Sequence, residues 1–255
     1  MRYSLQQEFY KLVHRKITWI IPLLLLGLMI LTGLIMPSSE ARLEAMATYN
    51  SDQWLTLLLI IIASTIFSME FQNNAILTIL YKASNKAYVF ISKLIVIESY
   101  NLGLHLLALS FTVLLKSVGF GGKINWLAIY QYQQPLWLNM FHTTILDLLS
   151  STLCISLILL MSCLINNNAI VIALNLGIIF MGSGFSADIL NHSGQLITIM
   201  KWNPLNMANL TTQYYNYAMY HQTTHLLNSQ LLTGTILYTI TFFLLGYLVF
   251  RKKHF

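Results

Sequence analysis

Apolar residues along this chain gather into six long runs, each set off by a polar segment. The runs are Ile17–Met36, Trp54–Met69, Leu94–Leu115, Leu138–Leu164, Ala169–Phe185 and Leu231–Phe250. A helix needs about 20 mostly apolar residues to cross a bilayer, and four of the runs reach that length. The second and fifth are shorter, so they either extend into flanking polar residues or stop before the far side. Two shorter stretches show helical periodicity without spanning length. In residues 1–16, Leu5, Phe9, Leu12 and Val13 recur on one face, while Arg2, Gln6, Glu8, Arg15 and Lys16 supply the polar one. A basic amphipathic helix directly before a span lies in the membrane interface. Between the second and third runs, Gln72 to Ala83 places Asn74, Thr78, Tyr81 and Lys82 on one side. Ala75, Ile76, Leu77, Ile79, Leu80 and Ala83 cover the other. That helix is too short to span and too apolar to stand in water. It must lie on the membrane surface or in a groove of another protein.

Composition agrees with the pattern. Of 255 residues, 56% are hydrophobic and only 9% charged, against about 25% charged in a soluble domain. The mean hydropathy is +0.65. So few charges cannot cover a soluble fold of this size, and the formal net charge of +6 reads as loop lysine and arginine rather than as a nucleic-acid surface. With the N-terminus in the cytoplasm, the inner segments hold Arg2, Lys11, Arg15, Lys16, Lys82, Lys86, Lys93, Arg251, Lys252 and Lys253. The outer ones hold Arg42, Lys116, Lys123 and Lys201. The bias places both termini inside, which an even number of spans allows. The first run is long for a signal peptide and is followed by no convincing cleavage site, so it reads as a retained span. Cys154 and Cys163 share one apolar run without metal-ligand spacing and read as packed thiols.

The stretch from Met69 to Lys93 carries a family resemblance. It is similar to the ABC-2 type permeases, the membrane subunits of a class of ABC exporters. Glu70 matches the glutamate that ends their second span, Ser84-Asn85-Lys86 their Ser-Arg-like turn, and Lys93 the lysine at the start of their third span. Asn74-Ala75 stands where Gly-Thr is usual, and Ala83 near the usual proline; both depart from the pattern. Length, six spans and an outer segment before the last span extend the resemblance over the whole chain, whose size is like that of small permeases of bacteriocin and lantibiotic immunity. The resemblance implies one all-α polytopic membrane domain: an N-terminal interfacial helix, six spans, a cytoplasmic coupling helix at 72–83 and an outer segment at 186–230. It makes Glu70, Asn74, Ile76, Ile79, Leu80, Lys82, Lys86 and Lys93 the residues expected to couple to an ATPase.

Three ionisable residues fall inside expected spans. Glu98 and His105 lie seven apart on one face of the third, and Asp147 lies in the fourth. An acid at mid-span costs about 2.5–3.5 kcal/mol on insertion scales, so it needs a partner or a wet cavity. His105 and Asp147 are expected to pair, as a structural hydrogen bond, as lining of a transport path, or as a proton relay. Glu98 is expected to meet Lys93 or interfacial water. Ser150, Ser151 and Thr152 are placed to satisfy Asp147 or to bond the backbone one turn back. Pro37 to Gln53, with Glu40, Arg42, Glu44 and Asp52, reads as a solvated connection. In the outer segment, Met181 to Ser186 either ends the fifth span or starts a re-entrant turn, and Pro204 breaks any helix. Its tyrosines read as an interfacial belt or as a contact surface for an amphipathic substrate.

The resemblance implies a multi-pass plasma-membrane protein, bacterial in type. It would export a hydrophobic or amphipathic substrate, with a bacteriocin-like peptide as one candidate. A separate ATP-binding subunit in two copies would hold ATP and magnesium, and a second permease, identical or a sister chain, would complete the path within the lipid bilayer. The sequence has no G-x-x-x-x-G-K-[ST], so this chain is expected to hold no nucleotide by that motif and to catalyse nothing itself. No cofactor, metal or nucleic acid is expected. The alternatives are a membrane scaffold or sensor that transports nothing, or an intramembrane enzyme. For the enzyme, His221 and His225 share a helix face but have no third ligand nearby.

Overall fold

A backbone surrounded by hydrocarbon has no water to bond, so each apolar run must close its hydrogen bonds internally, as a helix. The computed structural model describes residues 2–72 and 85–252. In chain order the helices are α1 (Arg2–Val13), α2 (Lys16–Ile35), the short α3 (Ala41–Met46), α4 (Ser51–Gln72) and α5 (Lys86–Ser117). Then follow α6 (Leu136–Leu164), α7 (Asn168–His192), the short α8 (Ile197–Met200), α9 (Pro204–Met207), α10 (Leu210–Tyr215) and α11 (Tyr217–Thr224), and finally α12 (Asn228–Lys252). Helices α2, α4, α5, α6, α7 and α12 are long and apolar enough to cross a membrane. Among the described residues the only β-pairing is an isolated bridge between Ile129 and Pro135. The protein is an all-α, six-span membrane protein. Most of the expected coupling helix lies outside the described residues, and with it Asn74, Ile76, Ile79, Leu80 and Lys82.

The spans run past their apolar runs where a cap or a neighbour permits it. The third span starts at Lys86 rather than near Lys93, because the Asn85 side chain caps it by accepting from the Ala87 amide at 2.8 Å. Asn167 caps α7 in the same way through the amides of Ala169 and Ile170. Residues Met181 to Ser186 neither end the fifth span nor turn back; α7 continues through them to His192. Gly182 in that stretch lets Leu205 of α9 approach closely. Pro204 likewise starts a helix instead of breaking one. It occupies the first turn of α9, where its missing N–H is not needed, and Asn203 caps the Asn206 amide at 2.9 Å.

Helices α4 and α6 form the inside of the bundle. Helix α6 packs against α4, α5, α7 and α12, and α4 also packs against α2, α5 and α7. Leu55, Leu59, Ile62, Ile155, Ile158 and Leu159 from this pair are fully enclosed. Leucines 237, 244 and 248 of α12 and Leu174, Phe180 and Phe185 of α7 stay exposed, as suits a lipid-facing side. At one end of the bundle α1 packs on α5, and Lys86 Nζ reaches the Arg251 carbonyl at 3.4 Å, so the first helix, the start of α5 and the end of α12 share one end.

The opposite end corrects the reading of Pro37–Gln53 as a solvated connection. Glu40 and Arg42 are exposed, but Glu44, Ala45, Met46, Tyr49 and Asp52 are buried. The reason is a charge at the C-terminal end of α5. Lys116 Nζ donates to Glu44 Oε2 at 2.5 Å and lies 3.3 Å from the carbonyls of Phe120 and Gly121. Its ammonium also sits 4.9 Å from the centre of the Tyr49 ring, whose hydroxyl donates to the Phe120 carbonyl at 2.9 Å. Gly121, at φ +69°, takes a left-handed turn against the Glu44 carboxylate, where any Cβ would collide. Thr48, Tyr49 and Asn50 are all left-handed, with φ of 47°, 56° and 55°, so the packing around Tyr49 holds a strained backbone. Burial raises the Glu44 pKa from its ordinary value, and Lys116 opposes that rise.

Removing one partner of a buried pair strands the other charge. Lys116→Met is therefore expected to destabilise the protein by about 3–5 kcal/mol, and Glu44→Leu combined with it to restore much of the loss. Thermal melting of purified single and double variants checks this; equal loss in both would show that Glu44 is not stranded.

Candidate functional site

Helices α5 and α6 run antiparallel, and a polar side chain one helical turn from the next on each can form a ladder between them. Three rungs occur. His105 Nε2 lies 3.1 Å from Asp147 Oδ2. Asn101 Nδ2 donates to Ser151 Oγ at 2.9 Å. Thr152 Oγ1 lies 3.1 Å from Glu98 Oε2, which also accepts from Asn101 Nδ2 at 3.2 Å. The expected pairing of His105 with Asp147 is thus present. Glu98 takes its hydrogen bonds from Asn101 and Thr152 rather than from the lipid interface. Ser151 and Thr152 do not serve Asp147: besides these rungs, each lies in hydrogen-bond reach of the Leu148 carbonyl one turn back.

The top rung has a fixed charge. His105 Nδ1 is 2.9 Å from the Asn101 carbonyl, which can only accept, so Nδ1 carries a proton. One further proton then lies between Nε2 and Asp147. Whichever atom holds it, the pair is neutral: imidazolium with carboxylate, or imidazole with carboxylic acid.

Asp147 also faces a cavity of about 310 Å³, which extends along α4 and α7 to the short helices beyond α7. Its polar lining includes Asp52, Asp147, Ser150, Ser183, Asn209 and Thr211. Two fully buried amides hold the short helices in place around it. Asn206 Nδ2 donates to the carbonyls of Lys201 and Thr224, at 2.7 and 3.0 Å. Gln213 Nε2 donates to the Leu226 carbonyl at 2.8 Å and to Asn228 Oδ1 at 2.9 Å, while its Oε1 accepts from Thr224 at 2.5 Å. Gly234 of α12 admits Met207 beneath them.

Asp52 was not singled out in the sequence, where it looks like part of a loop. The structure puts it in the first turn of α4, 8% exposed, with Oδ2 accepting from Tyr215 at 3.3 Å. The backbone amides at the start of α4 also meet Asp52, and Thr211 Oγ1 is buried without a hydrogen-bond partner among the described residues. An acid directly ahead of an apolar run, at the positive end of the helix dipole, was the available signal. The Tyr215 pKa is raised by burial and by the Asp52 charge, so its hydroxyl remains a donor. Tyr214 is pushed up to about 12, chiefly by burial, and stacks on Tyr132 at 4.7 Å. These two tyrosines are therefore half-buried anchors of the outer segment.

The residues expected to couple to an ATPase lie elsewhere. Glu70 falls in the last turn of α4. Lys86 begins α5. Lys93 is 1% exposed and donates to Glu8 Oε2 at 3.0 Å, and Glu8 also accepts from Lys11 at 2.6 Å. Lys93 thus ties α1 to α5 from the inside. His221 Nδ1 lies 2.9 Å from the Leu226 carbonyl, and His225 closes α11 in a left-handed conformation. No cluster of three or more metal-ligating side chains occurs among the described residues.

The family model described as ABC-2 family transporter protein matches residues 4–182, from α1 into α7. No curated relative matches the chain.

Because the His105–Asp147 rung is neutral, Asp147→Asn keeps a hydrogen bond by donating to a neutral His105. It is expected to change stability by less than about 1 kcal/mol, whereas Asp147→Leu strands the imidazole and costs about 1–3 kcal/mol. Thermal melts of both variants decide it; collapse of the Asn variant would mean that the rung needs its carboxylate.

Proposed function

The chain belongs to the ABC-2 family of transporter proteins, and from that premise we propose that this membrane-spanning permease subunit works in export, driven by ATP hydrolysis on a separate subunit. The observation that carries the reading is the polar cavity that passes between α4, α6 and α7 to Asp147 in an otherwise apolar bundle. A scaffold would gain nothing by keeping such a space unfilled, since close packing is the more stable arrangement. The cavity adjoins the short helices at the end remote from α1, which the lysine and arginine bias assigns to the outside. A hydrophobic or amphipathic substrate would leave by that route, a peptide such as a bacteriocin being one of that class.

The ATP-binding subunit, in two copies with ATP and magnesium, would dock at the other end. Glu70 in the last turn of α4 and Lys86 at the start of α5 lie at that end. Lys93 would transmit movement of α5 to α1 through Glu8 instead of touching the ATPase. A second permease, identical or a sister chain, would use the exposed apolar faces of α7 or α12. The setting is the plasma membrane of a bacterial cell.

Ile79→Asp with Leu80→Asp reverses the apolar face of the expected coupling helix. The variant is expected to insert normally and to lose most of its bound ATP-binding subunit in affinity purification from mild detergent. Stoichiometric recovery of the ATPase with this variant would contradict the coupling assignment.

A further inference from the structure

The cavity beside Asp147 has a second chamber. An adjoining space of about 160 Å³ is lined by Leu153, Leu157, Met161, Ile178, Leu205 and Phe242. The two chambers share Cys154, Ile179 and Ala208 as a common wall. One end of the combined space is therefore lined by carboxylates and hydroxyls, and the other almost wholly by hydrocarbon.

The polar end has an acid that no cationic side chain meets among the described residues. His105 balances Asp147, as its two hydrogen bonds require. Asp52 is met by the neutral Tyr215 hydroxyl on Oδ2 and by the backbone amides at the start of α4, with no cationic side chain beside it among the described residues. Thr211, 3% exposed, also lines this chamber, and its hydroxyl is buried without a partner among the described residues. Buried acceptors of this kind are ordinarily satisfied, and each left unmade is unfavourable. A carboxylate, a hydroxyl oxygen and the Ser150 hydroxyl that also lines the chamber suit a group with several N–H donors and a positive charge. A bare inorganic cation would satisfy the oxygens but leave the apolar chamber without a role.

We propose that this two-part cavity binds an amphipathic organic cation, with an ammonium group between Asp52 and Thr211 and an aliphatic part between α6, α7 and α9. As the substrate class of the permease this rests on the export reading, but binding itself requires neither ATP nor the partner subunit. Its failure is therefore separable from failure to recover an ATPase.

The test uses the full chain in lipid nanodiscs, with n-hexylammonium, n-hexanol, methylammonium and sodium chloride as probes. The concentration dependence of the melting temperature gives an apparent Kd. Hexylammonium is expected to stabilise the protein at concentrations where hexanol and sodium chloride do not. Asp52→Asn is expected to weaken it about tenfold, the usual loss when a charge-assisted hydrogen bond becomes neutral, and Thr211→Val to weaken it less. Leu157→Trp, which fills the apolar chamber, should weaken hexylammonium and leave methylammonium unchanged. This variant and Thr211→Val keep the proposal testable should Asp52→Asn not fold. Equal stabilisation by hexanol, equal stabilisation by sodium chloride, or hexylammonium affinity untouched by Asp52→Asn or by Leu157→Trp would overturn it.

Discussion

A charge carried into hydrocarbon must meet its counter-charge there, and in this protein α5 organises that matching. It presents a cationic or ionisable nitrogen at three depths: Lys93 at one end, His105 in the middle and Lys116 at the other. At 1.5 Å per residue these lie roughly 18 and 17 Å apart along the helix. Each holds an acid from a different element, Glu8 of α1, Asp147 of α6 and Glu44 of α3. Desolvating either member alone would cost several kcal/mol, so the contacts fix which elements lie against α5 more than they add net stability. Helix α1, the central span α6 and the short α3 are thereby registered on one spine.

The same rule explains the cavity. Once His105 has neutralised Asp147, and Lys116 has taken Glu44, Glu98 is left with Asn101 and Thr152, and Asp52 with a tyrosine hydroxyl and the backbone amides of its own helix. Asp52 lies at the start of α4, the most enclosed span, and lines the cavity together with Thr211. A bundle selected only for stability would have filled this space with side chains. Instead two buried amides, Asn206 and Gln213, hold the short helices in place around it. Structure and function meet at that point: the fold keeps a polar space where a transporter has use for one.

How much of this the sequence displays depends on how local the signal is. Six spans are visible because hydropathy over about 20 residues decides burial in lipid regardless of partners. The His105–Asp147 contact is visible because two ionisable groups at mid-span on adjacent helices have few other choices. Glu44 and Asp52 are not visible. Their partners, Lys116 and Tyr215, are 72 and 163 residues away, and a short polar segment between spans looks like a solvated loop. Pro204 and the glycines at 182 and 184 mislead for a related reason. Each weakens a helix in isolation, yet Asn203 caps one and Leu205 packs against another. The resemblance placed coupling residues at 70–93, and of these Lys93 sits inside the protein on Glu8, a position that spacing alone could not reveal.

The proposed export path is a polar chamber that opens to the outside and leads to Asp147. The most direct measurement is the reactivity of a cysteine placed at Ser183, half-buried in its wall, with Cys154 and Cys163 replaced by serine and alanine. In intact cells, a membrane-impermeant cationic methanethiosulfonate added outside should modify that cysteine, and faster than its anionic counterpart does. Protection from the external reagent, with modification only after access to the cytoplasmic side, would contradict the account.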